Sequence, residues 1–138
     1  MPIIDRKHVK IVVSLALIND DDKILLSKRP KNKHLSGFWE FPGGKVKSGE
    51  VPEIALIREI KEEIDIDINN KCIAPLSFTE FDYKEFQLLL LLYVCRKWEG
   101  EPKSMENNEI IWVKPSMLRK YKMPPADDAL IYCVQDLF

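Results

Sequence analysis

A glycine-containing loop that leads into an acidic, amphipathic helix is the feature that most constrains this chain. The loop contains Pro42, Gly43 and Gly44, and Pro52 follows a few residues later. Proline suits the first turn of a helix, where its missing N–H costs nothing. Neither glycine nor proline occurs again before Pro75. The pattern therefore predicts a helix that starts at Pro52 and continues without interruption.

The two faces of this helix differ in chemistry. At about 100° per residue, Glu59, Glu62 and Glu63 fall within an arc of roughly 100°. The aliphatic residues fall mainly on the other side: Ile54, Leu56, Ile57, Ile60 and Ile64. A charged helix face is often only solvated surface. The adjoining glycines favour another interpretation, because they let backbone carbonyls approach a ligand, and Mg²⁺ and Mn²⁺ prefer such oxygen donors.

The spacing of these residues resembles the Nudix box, the signature of the Nudix hydrolase family. The positions that match are one glycine, four glutamates, one arginine and two aliphatic residues: Gly44, Glu50, Arg58, Glu59, Ile60, Glu62, Glu63 and Ile66. The last glycine of the signature, which usually ends the helix, is Asp65 here. Aspartate tolerates left-handed backbone fairly well, so we interpret this substitution as structural.

The resemblance implies an α/β fold, the Nudix fold, which is an α/β/α sandwich around a mixed β-sheet. It also implies a single Nudix hydrolase domain over residues 1–138, with the box at 44–66. A length of 138 residues suits one domain. From the residues alone we predict a hairpin over 11–28, a second hairpin formed by 73–81 and 85–96, and a strand over Ile110–Val113. Short helical turns over 116–121 and a final helix over 129–137 complete the prediction.

The family also implies a site for Mg²⁺, for which Mn²⁺ could substitute. The implied metal ligands are the Gly43 carbonyl and four carboxylates: Glu50, Glu59, Glu62 and Glu63. Arg58 would orient the carboxylates by ion pairing. The general base stays open between Glu59 and two loop acids of the kind that these enzymes recruit, Glu106 and Glu109. The predicted catalytic set is therefore Arg58, Glu59, Glu62, Glu106 and Glu109.

The resemblance extends to MutT-like members of the family over roughly residues 10–135. It implies that Arg29, Gly43 and Gly44 contact the nucleotide, and that Phe78 either faces the base or packs in the core. After the Pro124–Ala126 turn, MutT has an asparagine that reads the oxidised guanine, whereas this chain has Asp127. Ionised aspartate only accepts hydrogen bonds, unless a dry pocket keeps it protonated. Asp127 could instead be only a helix N-cap.

The implied function is Mg²⁺-dependent hydrolysis of nucleoside triphosphates such as 8-oxo-dGTP to the monophosphate and pyrophosphate, which removes oxidised nucleotides from the pool. One alternative is another substrate of the same family: CTP or dCTP, a sugar nucleotide or a dinucleoside polyphosphate. The other is a nucleotide-binding module that has lost turnover.

The resemblance implies a small-molecule nucleotide as the partner, and the composition does not suggest a nucleic-acid polymer or a membrane. The 21 basic and 22 acidic residues leave a net charge of −1, which does not suggest a nucleic-acid polymer as partner. The apolar run over 88–94 is too short to cross a membrane. The basic start and apolar run over 1–18 resemble a signal peptide but lack a cleavage site, so a strand is favoured. Three cysteines without a CxxC pair indicate free thiols in a reducing compartment, and hence a cytoplasmic protein; a secreted protein with a disulfide is the alternative. The sequence does not distinguish a monomer from a homodimer.

Overall fold

The computed structural model describes residues 8–138, which form two β-sheets covered by helices. The strands are β1 (Val9–Leu17), β2 (Ile24–Lys28), β3 (Trp39–Glu40), β4 (Gly43–Lys45), β5 (Ile73–Asp82), β6 (Gln87–Cys95) and β7 (Ile110–Val113). The helices are α1 (Pro52–Ile64), α2 (Pro125–Ala129) and α3 (Ile131–Gln135), with 3₁₀ turns at Asn70–Cys72 and Pro115–Lys120. These short turns include the helical segment predicted over 116–121.

The larger sheet is mixed and has the strand order β4-β1-β6-β5. Strand β1 runs parallel to β6 and antiparallel to β4, and β5 forms the predicted hairpin with β6. The second sheet has the order β3-β2-β7 and is antiparallel. Strand β7 matches the predicted strand over Ile110–Val113.

Alternating side chains of β1 divide the core into two layers. Val13, Leu15 and Leu17 pack with the apolar face of α1. Ala16 on the opposite face joins a second cluster with residues of α2 and α3, among them Ile131. Successive strand residues point to opposite faces, so β1 carries helices on both sides. The α/β/α sandwich is confirmed.

Two predicted elements differ in the structure. The hairpin predicted over 11–28 is wrong apart from its turn: β1 does not pair with β2 along its length, because both edges of β1 are occupied by β4 and β6. Strand β2 instead joins the second sheet and meets the end of β1 at the Ile18–Ile24 bridge. The final helix is two short helices, since Leu130 (ψ −5°) departs from helical geometry between α2 and α3. Part of the N-terminal segment considered as a signal peptide, residues 1–7, lies outside the described residues.

Helix α1 ends as the sequence predicts. Asp65 has left-handed backbone (φ 57°, ψ 41°), and its N–H donates to the carbonyl of Lys61 at 3.1 Å. Its carboxylate also contacts Lys61 and Lys103 at 3.2 and 3.4 Å. Aspartate thus occupies the position where helices usually place glycine. Over residues 8–138, no helix is long and apolar enough to span a membrane.

We expect Asp65→Val to lower the free energy of unfolding by about 1–2 kcal/mol, because a β-branched residue at positive φ is strained. Asp67→Val is the matched control, since Asp67 also pairs with Lys61, at 3.3 Å, but has no positive φ. Urea titrations monitored by tryptophan fluorescence would compare the two variants. Equal losses would contradict a backbone origin.

Candidate functional site

A cavity of about 850 Å³ opens beside β1, β4 and α1. Both acidic and basic side chains line it. The acidic ones are Glu40, Glu59, Glu63, Glu85, Glu106 and Asp127; the basic ones are Lys10, Arg29, Lys33, Lys45 and Lys84. A wall of mixed charge suits a ligand that is itself anionic but brings cations with it.

Glu63 is the acid most tightly held by the fold. Glu63 is only 5% exposed. Its carboxylate accepts hydrogen bonds from Ser27 Oγ and from the Gly43 N–H, both at 2.9 Å. Burial raises the pKa of Glu63 to about 8, although these two hydrogen bonds oppose the shift. The nearby charges of Glu40 and Glu106 raise it further. A buried carboxylate of this kind is stabilised when a cation lies beside it.

Arg58 organises the remaining carboxylates of α1 and the preceding loop. Its Nε and Nη2 donate to the two oxygens of Glu50, each at 2.9 Å, and its Nη1 donates to Glu59 at 2.8 Å. The predicted contact with Glu62 is longer, at 3.5 Å. The two-pronged bond from Arg58 lowers the pKa of Glu50 to about 2. Arg58 thus pairs with both Glu50 and Glu59, and its role in orienting them for a ligand stays a prediction.

Gly43 and Gly44 each fill a space in which no side chain fits. A Cβ on Gly43 would overlap the backbone carbonyl of Val13 in the neighbouring strand. A Cβ on Gly44 would overlap the carboxylate of Glu59. The two glycines therefore let β4 pair closely with β1 and let Glu59 lie against the loop.

The predicted metal ligands are brought together only in part. Glu59 and Glu63 line the cavity, one helical turn apart, whereas Glu62 is 55% exposed and Glu50 is directed at Arg58. In the described part of the chain, no three His, Cys, Asp or Glu side chains are grouped closely enough to hold a metal ion. The donors still fit a hard divalent cation, because they are all oxygens and include the buried Glu63 carboxylate.

A second buried acid, Asp127, also lines the cavity. Asp127 is buried, and its Oδ2 accepts a hydrogen bond from the Phe41 N–H at 3.3 Å. Burial, together with the nearby charge of Glu40, raises the pKa of Asp127 well above its usual value. The N-cap of α2 is Pro124, so the alternative that Asp127 serves only as the N-cap is wrong.

Arg29 and Glu40 form an ion pair that also lines the cavity. Arg29 Nη1 donates to Glu40 Oε2 at 2.6 Å, and Arg29 Nε donates to the His34 carbonyl at 2.7 Å. Burial raises the pKa of Glu40, and the charge of Arg29 opposes that shift. Sequence reasoning identified Arg29 but missed Glu40. An acidic residue between Trp39 and Phe41 was the signal that could have revealed it.

The structure separates the two loop acids, Glu106 and Glu109. Glu106 lines the cavity, whereas Glu109 is exposed and lies 3.7 Å from Lys28.

Phe78 is 62% exposed and borders a different, shallow depression, so its prediction as a base-pocket residue is wrong, as is a core role. A bulge between Pro75 and Ser77 shifts the β5 register. Phe78 therefore lies opposite Leu91, on the sheet face that carries α1.

Comparison with known proteins supports one interpretation of this geometry. The family model described as NUDIX domain matches residues 13–132. The 8-oxo-dGTP diphosphatase of Haemophilus influenzae is 34% identical over 128 residues, covering 93% of this chain and 92% of its own length. The CTP pyrophosphohydrolase of Escherichia coli is 31% identical, covering 88% of each chain. A solved MutT structure, from work on Aliivibrio salmonicida and Vibrio cholerae, aligns with a TM-score of 0.79 at 34% identity, covering 94% of this chain and 99% of that one.

The two glycines should respond differently to alanine. Gly43→Ala should cost about 1–3 kcal/mol of unfolding free energy, since its overlap is with backbone that cannot move freely. Gly44→Ala should cost less than about 1 kcal/mol, because the flexible Glu59 side chain can move aside. Chemical denaturation measures both, and the reverse order of losses would refute this account.

Proposed function

Because the chain belongs to the NUDIX domain family, we propose that it is a Mg²⁺-dependent nucleoside triphosphate pyrophosphohydrolase that acts on oxidised nucleotides such as 8-oxo-dGTP. The observation that carries this proposal is the pairing, in one cavity, of Glu59 and Glu63 with the buried Asp127. The first pair suits phosphate chemistry, and Asp127 suits recognition of a base edge. Relatives that are 8-oxo-dGTP diphosphatases support the same assignment.

The proposed reaction consumes one water and one triphosphate. A new P–O bond forms to the water oxygen, and one bridging P–O bond breaks to release pyrophosphate and the monophosphate. The proton of the water passes to a carboxylate. Nudix hydrolases in general need a divalent metal, and Mg²⁺ bound here would neutralise phosphate charge and lower the pKa of the attacking water.

The chain's own residues have separate tasks in this reaction. Glu59 and Glu63, with the Gly43 carbonyl, would hold Mg²⁺, and Glu50 and Glu62 would complete the set through water or after rearrangement. Arg58 keeps Glu50 ionised, and its short hydrogen bonds hold both Glu50 and Glu59 in place. Glu59 and Glu106 are the candidate bases, because both line the cavity. Glu109 is no longer favoured, since it pairs with Lys28 outside it.

The protonation state of Asp127 affects which nucleobase the cavity can bind. A protonated aspartate offers one donor and one acceptor, as an asparagine side chain does. The raised pKa of Asp127 favours that form. Asp127 could therefore bind a purine edge that presents both an acceptor and a donor. The positive charge of Arg29, held beside Glu40, lines the same cavity and would attract the nucleotide.

CTP or dCTP is the second candidate substrate. The observation that favours it is the similarity to the E. coli CTP pyrophosphohydrolase, at 31% identity. A cytosine ring presents an amino donor next to a ring acceptor, which a protonated Asp127 could also satisfy. A small-molecule nucleotide as the partner and a cytoplasmic location remain part of the proposal. The free thiols of Cys72, Cys95 and Cys133 support the location.

A nucleotide panel tests this proposal. We expect Mg²⁺-dependent turnover with release of pyrophosphate, and kcat/KM for 8-oxo-dGTP above that for dGTP, CTP and dCTP. Anion-exchange chromatography of the products would identify the bond cleaved. Preference for CTP or dCTP would favour the second candidate, and no turnover of any triphosphate would exclude the enzyme class. Asp127→Asn should then retain the preferred base if Asp127 acts in its protonated form.

Glu59→Gln should lower kcat by about 100-fold or more, because it removes a carboxylate proposed to act at the reacting phosphate. Its fold should be retained, since Glu59 is partly exposed. Glu109→Gln is the matched control and should leave kcat within about twofold. Steady-state kinetics with the preferred triphosphate measures both variants. Equal rates for Glu59→Gln and the native enzyme would contradict the assigned role.

A further inference from the structure

The loop that carries Glu106, defined here as residues 103–109, is hydrogen-bonded at its start to the last turn of α1. The Lys103 N–H donates to the Ile64 carbonyl at 3.1 Å, and the Met105 N–H donates to the Glu63 carbonyl at 3.0 Å. Carbonyls at the end of a helix lack partners within the helix. The loop supplies those partners, and so its first half is fixed directly beside the backbone of Glu63.

Ser104 and Asn108 close the same loop from both sides of Glu106. The Ser104 hydroxyl donates to Asn108 Oδ1 at 2.6 Å, and the Asn108 backbone N–H donates to Ser104 Oγ at 3.1 Å. Asn107 has positive φ (55°), which asparagine tolerates better than most residues. These bonds shape a tight bend with Glu106 near its apex.

The Asn108 side chain also ties the bend to the second sheet. Its Nδ2 donates to the Lys28 carbonyl at 2.9 Å, at the end of β2. The Lys28 N–H in turn donates to the Glu109 carbonyl at 2.9 Å. The bend is therefore anchored to α1 at one end and to β2 at the other.

Glu106 is the acidic side chain that this bend presents to the cavity. Its charge reaches Glu40 and Glu63, whose pKa values it raises. A glutamate on an unrestrained loop would lose rotational and backbone freedom each time it engaged a ligand. A loop already fixed by hydrogen bonds loses less freedom, and its carboxylate stays close to the reacting position.

We infer that Ser104 and Asn108 are positioning residues, which hold Glu106 at the cavity wall and contribute to turnover only through it. This inference rests on the proposed function. Asn108 itself lines the cavity, but its Oδ1 accepts from Ser104 and its Nδ2 donates to Lys28, so the polar groups of both residues are used in bonds that shape the loop.

A simple structural role makes a different prediction. Asn108 lies next to the strand end that leads to Arg29, so its loss could act through Arg29 or through stability. Either route would operate whether or not Glu106 carries a carboxylate. Coupling between the substitutions distinguishes the routes, because residues that act as a unit are non-additive.

The test is a double-mutant cycle with steady-state kinetics on the triphosphate that the native enzyme hydrolyses fastest. Ser104→Ala and Asn108→Ala should each lower kcat by about tenfold, with KM within about threefold. Ser104→Thr keeps the hydroxyl and should restore most of the rate. In a Glu106→Gln background, the same alanine substitutions should change kcat less than about twofold.

Separate outcomes overturn separate statements. Equal losses in the native and Glu106→Gln backgrounds would overturn the positioning role, as would native rates for both alanine variants. If Asn108→Ala unfolds, Asn108→Asp retains the size but loses the donor to Lys28, and it should give the same coupled loss. Absence of any turnover by the native enzyme would overturn the proposed function and this inference together, whereas native turnover without coupling would overturn only the inference.

Discussion

The hydrogen bonds accepted by the buried Glu63 carboxylate are the interaction on which the rest of the site depends. Its side chain joins Ser27 of the second sheet to Gly43 of the first, and its own backbone carbonyl receives the Met105 N–H. Burial of an acid is costly unless hydrogen bonds or a cation compensate. One residue therefore fixes the relative position of α1, two sheets and the loop that bears Glu106, while retaining a carboxylate that a divalent cation would stabilise.

Asp127 and Glu40 are held on a similar principle. Asp127 is buried against the Phe41 N–H, and Glu40 is held by Arg29, so two acids with raised pKa values lie near each other. Two neighbouring carboxyls in a dry site do not both ionise readily. Residues 39–45 connect Asp127 with Glu63, because the Phe41 N–H donates to Asp127 and the Gly43 N–H donates to Glu63.

Local spacing was enough to predict α1, its carboxylates and the left-handed end at Asp65, because helical periodicity and backbone preference act over a few residues. The pairing of β2 was not predictable in this way. The short turn after β1 favours a hairpin locally, but β1 already has β4 and β6 at its edges, and both are distant in sequence. Phe78 was misplaced for a related reason, since the bulge after Pro75 reverses the face that the strand pattern assigns.

The sequence by itself determined the acidic helix with its glycine loop, because those depend on residue types at set spacings. It indicated the family and the α/β/α architecture only through the resemblance that these spacings carry. Only the tertiary structure decided which of the similar acids share a cavity. It buried Glu63 and exposed Glu62 on the same helix, directed Glu50 to Arg58, and separated Glu106 from Glu109 within one loop. Neighbouring glutamates are alike in sequence, and their chemistry differs only because strands, loops and partners from distant segments surround each one differently.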